Sequence, residues 1–217
     1  MIYRIASFSG HIMAVPAIIG LARFKNIAPA YQPFIYVTWL AFAQAMLGHI
    51  LSPAGPAKAI ADNGYGLLES LLFCWLFYNW GALKEKAWQL PALATGLLLA
   101  WTADNFILHH IDSVNSLFGI VYSFVLVFLA INQLNIMIMD EAGSLLRHAQ
   151  FLICTGICIL YSYKAFLAAF YCIRLDKNIP LLNNVFLILA FVNLFVTFIY
   201  ALAALWIPTR QNFTRPS

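Results

Sequence analysis

Seven apolar runs, each about 20 residues long, constrain what this chain can fold into. A helix of that length crosses about 30 Å of hydrocarbon, so each run is long enough for one membrane crossing. The composition agrees, because 63% of the residues are hydrophobic and only 9% are charged. The sequence therefore predicts an all-α, polytopic membrane helical bundle with seven transmembrane helices. The predicted spans cover residues 5–22, 33–51, 65–83, 88–108, 114–139, 148–173 and 182–207.

The connections between these runs are short and carry residues typical of loops. SPAGPAKAIADNG follows the second run, DEAGS follows the fifth and RLDKNIP follows the sixth. No connection is long enough for a soluble domain, so residues 1–217 are predicted to form a single transmembrane domain. Lys and Arg occur singly or in pairs and build no basic face, which argues against nucleic acid as a partner.

The distribution of positive residues predicts the orientation, because Lys and Arg accumulate on the cytoplasmic side of a membrane protein. Seven of them fall on one side of the predicted bundle and four on the other. The first group is Arg23, Lys25, Lys84, Lys86, Arg147, Arg210 and Arg215; the second is Arg4, Lys58, Arg174 and Lys177. The count predicts an N-terminus outside and a C-terminus in the cytoplasm.

Charged residues within the predicted spans are the strongest functional signal. Lys164 lies in the sixth run, Glu69 in the third and Asp104 near the end of the fourth. An isolated charge in hydrocarbon costs from about 3 to more than 10 kcal/mol, so such groups normally pair inside a bundle. We expect Lys164 to meet Glu69 or Asp104, and we expect all three residues to lie in the outer half of the membrane.

Two interpretations of this cluster stay open. The residues either form a structural ion pair that holds the bundle together, or they line a polar pocket for a small molecule or lipid. The predicted pocket residues are Glu69, Asp104, Asn105, Lys164, His11, His49, Tyr161 and Trp101.

The histidines raise the question of a metal or haem, since neutral imidazole is a common ligand of both. His11 and His49 are expected to face each other across the first two spans, while His109 and His110 end the fourth. Their spacing matches no HExxH pattern, so the metal signal is weak and a protein without a cofactor is the main expectation.

Three segments resemble a group of small seven-helix integral membrane proteins of Bacteroidota. The segments are NGYGLLESLLFCWLFYNW, LLRHAQFLICTGICILYSYKAF and LLNNVFLILAFVNLFVTFIYALAALW. The resemblance implies a bacterial inner (plasma) membrane and implies no particular substrate.

A receptor-like or sensory protein is the expected function. A ligand that competes for the Lys164 pair would shift helix packing and so signal to a cytoplasmic partner protein. A small-solute transporter is the first alternative, and an intramembrane enzyme or a haem or metal redox protein is the second. No catalytic residue is assigned, because the sequence holds no recognised nucleophile motif.

Overall fold

The computed structural model describes residues 11–51, 55–83, 88–112, 116–140, 148–173 and 179–209. Within them the chain is helical, with seven α-helices and one isolated β-bridge between Ile27 and Thr209. The helices are α1 (Ala14–Arg23), α2 (Gln32–Ile50), α3 (Pro56–Trp80), α4 (Gln89–Thr102), α5 (Leu117–Asp140), α6 (Ala149–Cys172) and α7 (Ile179–Trp206). A π-helical turn, Ala103–Leu108, continues α4.

Five of these seven helices are long and apolar enough to cross a membrane, which makes the chain an integral membrane protein. They are α2, α4 with its π turn, α5, α6 and α7. Large apolar side chains point outward from them, as expected for surfaces in contact with lipid: Phe128 is 68% exposed and Phe198 is 62% exposed. Residues 5–10 of the predicted first span lie outside the described residues.

The helices pack as a closed ring in chain order. Each helix contacts the next one along the chain, and α7 returns to contact α1. Arg23 at the end of α1 strengthens this closure, because its guanidinium donates hydrogen bonds to the carbonyl oxygens of Ala204, Leu205 and Ile207 at the end of α7. Consecutive helices run in opposite directions, so the connections between them alternate between the two ends of the ring. We call the end at which α2 connects to α3 the α2–α3 face, and the opposite end, at which α3 connects to α4, the α3–α4 face.

The start of α3 differs from the sequence prediction. Residues 52–64 were expected to form a loop, but the helix begins at Pro56. Proline at the first turn of a helix is favourable because its missing N–H would have had no partner there. Lys58 then pairs with Asp62 one turn later, at 2.5 Å. As a result Glu69 lies about 20 Å along α3, near the middle of the helix.

The half of the ring nearest the α3–α4 face has a solid apolar interior. Phe34, Phe77, Ile153 and Ala203 are fully buried there, and Ile207 is 1% exposed. We call these five residues the apolar plug. Four of them belong to the helices α2, α3, α6 and α7, and Ile207 directly follows α7. Together they close the centre of the ring toward that face.

Candidate functional site

An ion pair crosses the interior of the ring between α3 and α6. The Lys164 ammonium nitrogen lies 3.0 Å from Oε2 of Glu69 and 3.3 Å from Oε1. The Glu69 side chain is 3% exposed, whereas the Lys164 side chain keeps 25% exposure. The prediction that a carboxylate from the third or fourth span holds Lys164 is confirmed, and that carboxylate is Glu69.

Two tyrosine hydroxyls share the Glu69 carboxylate with Lys164. Tyr65, one turn earlier on α3, donates to Oε1, and Tyr122 on α5 donates to Oε2 at 3.4 Å. A buried carboxylate is stable only when its oxygens accept hydrogen bonds. Glu69 therefore has donors of its own besides the lysine.

Aromatic rings surround the ammonium group. Its nitrogen lies 4.6 Å from the ring centroid of Tyr161 and 5.7 Å from that of Tyr65. Both distances fall within the range of about 6 Å at which a cation is attracted to an aromatic face. The environment of Lys164 thus favours its charged form through one carboxylate and two rings.

The ion pair forms part of the wall of a central cavity of about 220 Å³. At about 30 Å³ for each water in the liquid, this is room for roughly seven water molecules or one small organic group. The lining comes from four helices, α2, α3, α6 and α7, and from Met13 directly before α1. Its polar members, besides Tyr161, are Gln44, Tyr65, Glu69, Lys164, Asn193, Thr197 and Tyr200.

Tyr200 brings an unused hydrogen-bonding group to this cavity. The residue is 1% exposed, and its hydroxyl oxygen has no hydrogen-bond partner among the described residues. Leaving a buried polar group unsatisfied costs about 1–3 kcal/mol.

Polar groups lead from the cavity toward the α2–α3 face. Gln44 lines the cavity and donates a hydrogen bond of 2.5 Å to the exposed carboxylate of Asp62. Asp62 in turn pairs with Lys58 in the first turn of α3. The opposite end meets the apolar plug, so the two ends of the ring interior differ in polarity.

Three of the eight predicted pocket residues line this cavity: Glu69, Tyr161 and Lys164. The other five are not part of its lining: these are His11, His49, Trp101, Asp104 and Asn105.

Asp104 ties α4 to α5 instead. Its Oδ2 accepts the backbone N–H of Phe118 at 2.7 Å, and its Oδ1 lies 2.8 Å from Nδ1 of His109. The N–H groups in the first turn of a helix have no partner within that helix, so a carboxylate from a neighbour stabilises α5 at its start. The π turn places Asp104 for this contact.

Asn105 and Trp101 also make contacts that join elements. Asn105 donates from Nδ2 to the carbonyl of Trp101 at 2.8 Å, and the indole N–H of Trp101 donates to the carbonyl of Asn63 at 2.9 Å. The first bond lies within α4 and its π turn, and the second connects α4 to α3 near the α2–α3 face.

The predicted contact between His11 and His49 is confirmed. Their ring nitrogens are 3.4 Å apart and their ring centroids 4.3 Å apart. His110 is exposed at the end of the π turn, beside His109. Within the described ranges no group of three or more His, Cys, Asp or Glu side chains is placed to hold a metal ion.

The cavity residues Tyr65, Thr197 and Tyr200 were not predicted from the sequence, and their spacing was the available signal. Asn193, Thr197 and Tyr200 stand at positions i, i+4 and i+7 of α7, which places them on one face of an otherwise apolar helix. Tyr65 precedes Glu69 by four residues and so shares its face. A polar stripe of this kind marks the side of a membrane helix that faces the bundle interior.

The chain matches no protein-family model, and neither a curated protein nor a solved structure resembles it significantly.

Proposed function

We propose that this protein is a receptor-like membrane protein that binds a small molecule or lipid in the central cavity, beside Lys164 and Glu69. One observation carries the proposal. The ion pair does not fill the site it occupies, because a cavity of about 220 Å³ remains beside it. A purely structural pair would be expected in close-packed surroundings with every polar group satisfied.

Binding at this place can change the packing of the helices. Lys164 connects α6 to α3, and a ligand that takes over the lysine weakens that connection. Because Glu69 keeps two tyrosine donors, it can lose the lysine without losing all its partners. The ligand would then favour a different arrangement of α3 and α6, which a cytoplasmic partner protein could detect.

Solute transport is the competing function, and the apolar plug favours a receptor. A transporter exposes its site to both sides of the membrane in turn. Here the ring interior beyond the cavity is close-packed, with Phe34, Phe77 and Ile153 fully buried. Uptake of solute into proteoliposomes would support the transporter.

We also propose the membrane arrangement. All seven helices cross the membrane, with the N-terminus outside and the C-terminus in the cytoplasm of a bacterial inner membrane. The closed ring supports seven crossings, because α1 and α3 occupy places in it equivalent to those of the five apolar helices. The charge count of seven against four supports the orientation.

Native mass spectrometry of the gently solubilised protein tests the binding proposal. We expect a non-protein mass that is present in the wild type and absent from the double variant Lys164→Met/Glu69→Gln, which removes both charges together. Lys58→Met is the matched control, because it removes a surface lysine and leaves the cavity intact. A bound mass that persists in the double variant would contradict the proposal.

A further inference from the structure

An apolar groove of about 590 Å³ follows the outside of the α1–α7 contact, on a surface that faces lipid in a membrane. Its apolar lining includes Ile12, Val15, Phe191, Leu194, Phe195 and Phe198. The side chains of Phe191, Phe195 and Phe198 are 62%, 56% and 62% exposed. The groove is therefore well suited to a hydrocarbon chain.

Thr197 is the residue that the groove and the central cavity share. It lines both, and among the described residues of the groove it alone carries a polar side-chain atom. Its hydroxyl makes a weak contact of 3.9 Å with the sulfur of Met13, the residue directly before α1, and Met13 also lines the cavity. The Met13–Thr197 contact thus separates the two spaces, and a methionine side chain is flexible enough to move aside.

The two spaces differ in chemistry. The cavity offers the Lys164 ammonium, whose side chain keeps 25% exposure beside Glu69, and a charged donor of this kind suits an anionic group with oxygen acceptors. The groove offers hydrocarbon contacts only, apart from Thr197. A molecule that satisfies both has a small acidic head and one apolar chain.

We propose that the ligand is a free fatty acid taken from the bilayer. Its carboxylate lies in the cavity against Lys164, and its chain passes between Met13 and Thr197 into the α1–α7 groove. This inference rests on the proposed function and adds the chemical class of the ligand and its route. Glu69 stays bonded to Tyr65 and Tyr122 while the fatty acid shares the lysine.

Photolabelling of the full chain in lipid nanodiscs tests the proposal. The probe is palmitic acid with a diazirine on its chain, and labelled residues are mapped by peptide mass spectrometry. A second groove, between α5 and α6, is the internal control: it is lined by Ile120, Phe124 and Phe166, among others, and shares no described residue with the cavity. Ordinary contact with bilayer lipid labels both grooves.

We expect labelling near Val15 and Phe195 to fall about tenfold or more in Lys164→Met/Glu69→Gln, which corresponds to the loss of a charge-assisted hydrogen bond. Thr197→Trp, which fills the passage, should lower the same labelling, whereas Phe166→Trp in the control groove should leave it unchanged. Hexadecanol with the same diazirine should label both grooves alike in every variant.

Equal labelling of the two grooves by the palmitate probe, with no effect of the double variant, would overturn the proposal that the ligand is a fatty acid. A bound mass that depends on Lys164 and corresponds to a two-chain phospholipid or a water-soluble molecule would also overturn it. Either result leaves the proposed function standing if native mass spectrometry finds a bound mass that depends on Lys164. The absence of any Lys164-dependent mass would remove both proposals.

Discussion

Lys164 and Glu69 carry opposite charges that stabilise each other inside the bundle. Each would be costly alone in the apolar interior, and their contact at 3.0 Å offsets that cost. Tyr65, Tyr122 and Tyr161 add hydrogen bonds and a ring face around the pair. At this scale the pair is a stabilising contact of the bundle, and its position at a cavity makes it available to a ligand.

The stability of the pair leads to a prediction. Lys164→Met leaves the buried Glu69 carboxylate without its cation and should lower the free energy of unfolding by about 3–5 kcal/mol. Adding Glu69→Gln removes the unpaired charge and should restore most of the loss. The measurement is unfolding of the detergent-solubilised protein, followed by circular dichroism.

Lys58→Met is again the control, because the partially exposed Lys58–Asp62 pair should contribute at most about 1 kcal/mol. If Lys164→Met were no more destabilising than Lys58→Met, the Lys164–Glu69 contact would not be a buried, coupled pair.

At the scale of helices, the packing of α6 against α7 depends on a small residue. A Cβ atom placed on Gly156 would lie 2.3 Å from a ring carbon of Tyr200. The glycine therefore lets the tyrosine ring lie against the α6 backbone, in a position where Tyr200 forms part of the cavity wall.

Gly156→Ala should consequently displace Tyr200 and lower the free energy of unfolding by about 1–3 kcal/mol, the usual cost of overpacking. Gly96→Ala on α4 is the matched control, since a Cβ there meets nothing within 4 Å. That control should be neutral or stabilising, because alanine favours a helix. Thermal unfolding of the two variants side by side makes the comparison, and equal effects would refute the close contact.

Helix positions were largely predictable from the sequence, while the contacts between helices were not. Apolar length located α2, α4, α5, α6 and α7 to within a few residues. The start of α3 was missed because its Pro and Gly residues are typical of loops, although proline also begins helices. The separation of Asp104 from Glu69 depends on the π turn and on how far each helix extends, which hydropathy does not report.

At the scale of the whole molecule, a closed ring of seven helices has two different halves. One half contains the cavity and the polar path through Gln44 and Asp62, and the other contains the apolar plug. Gathering of polar residues in one half was predictable from the sequence. The closure of the ring by α1 and α7, which creates the cavity wall, was not, because it depends on contacts between the two ends of the chain.

The central claim is that the cavity is a binding site that is open to water at the α2–α3 face and closed toward the other face. Accessibility of an introduced cysteine tests it most directly. Ala41→Cys, in a background with the four natural cysteines replaced by alanine, places a thiol on the cavity wall, and Ala203→Cys places one in the plug. In sealed vesicles of known orientation, a charged, membrane-impermeant thiol reagent should modify Ala41→Cys from the α2–α3 face and leave Ala203→Cys unmodified from either face. The account would be contradicted if Ala41→Cys were modified from the α3–α4 face alone. It would also be contradicted if the rate of modification of Ala41→Cys were no higher than that of Ala203→Cys.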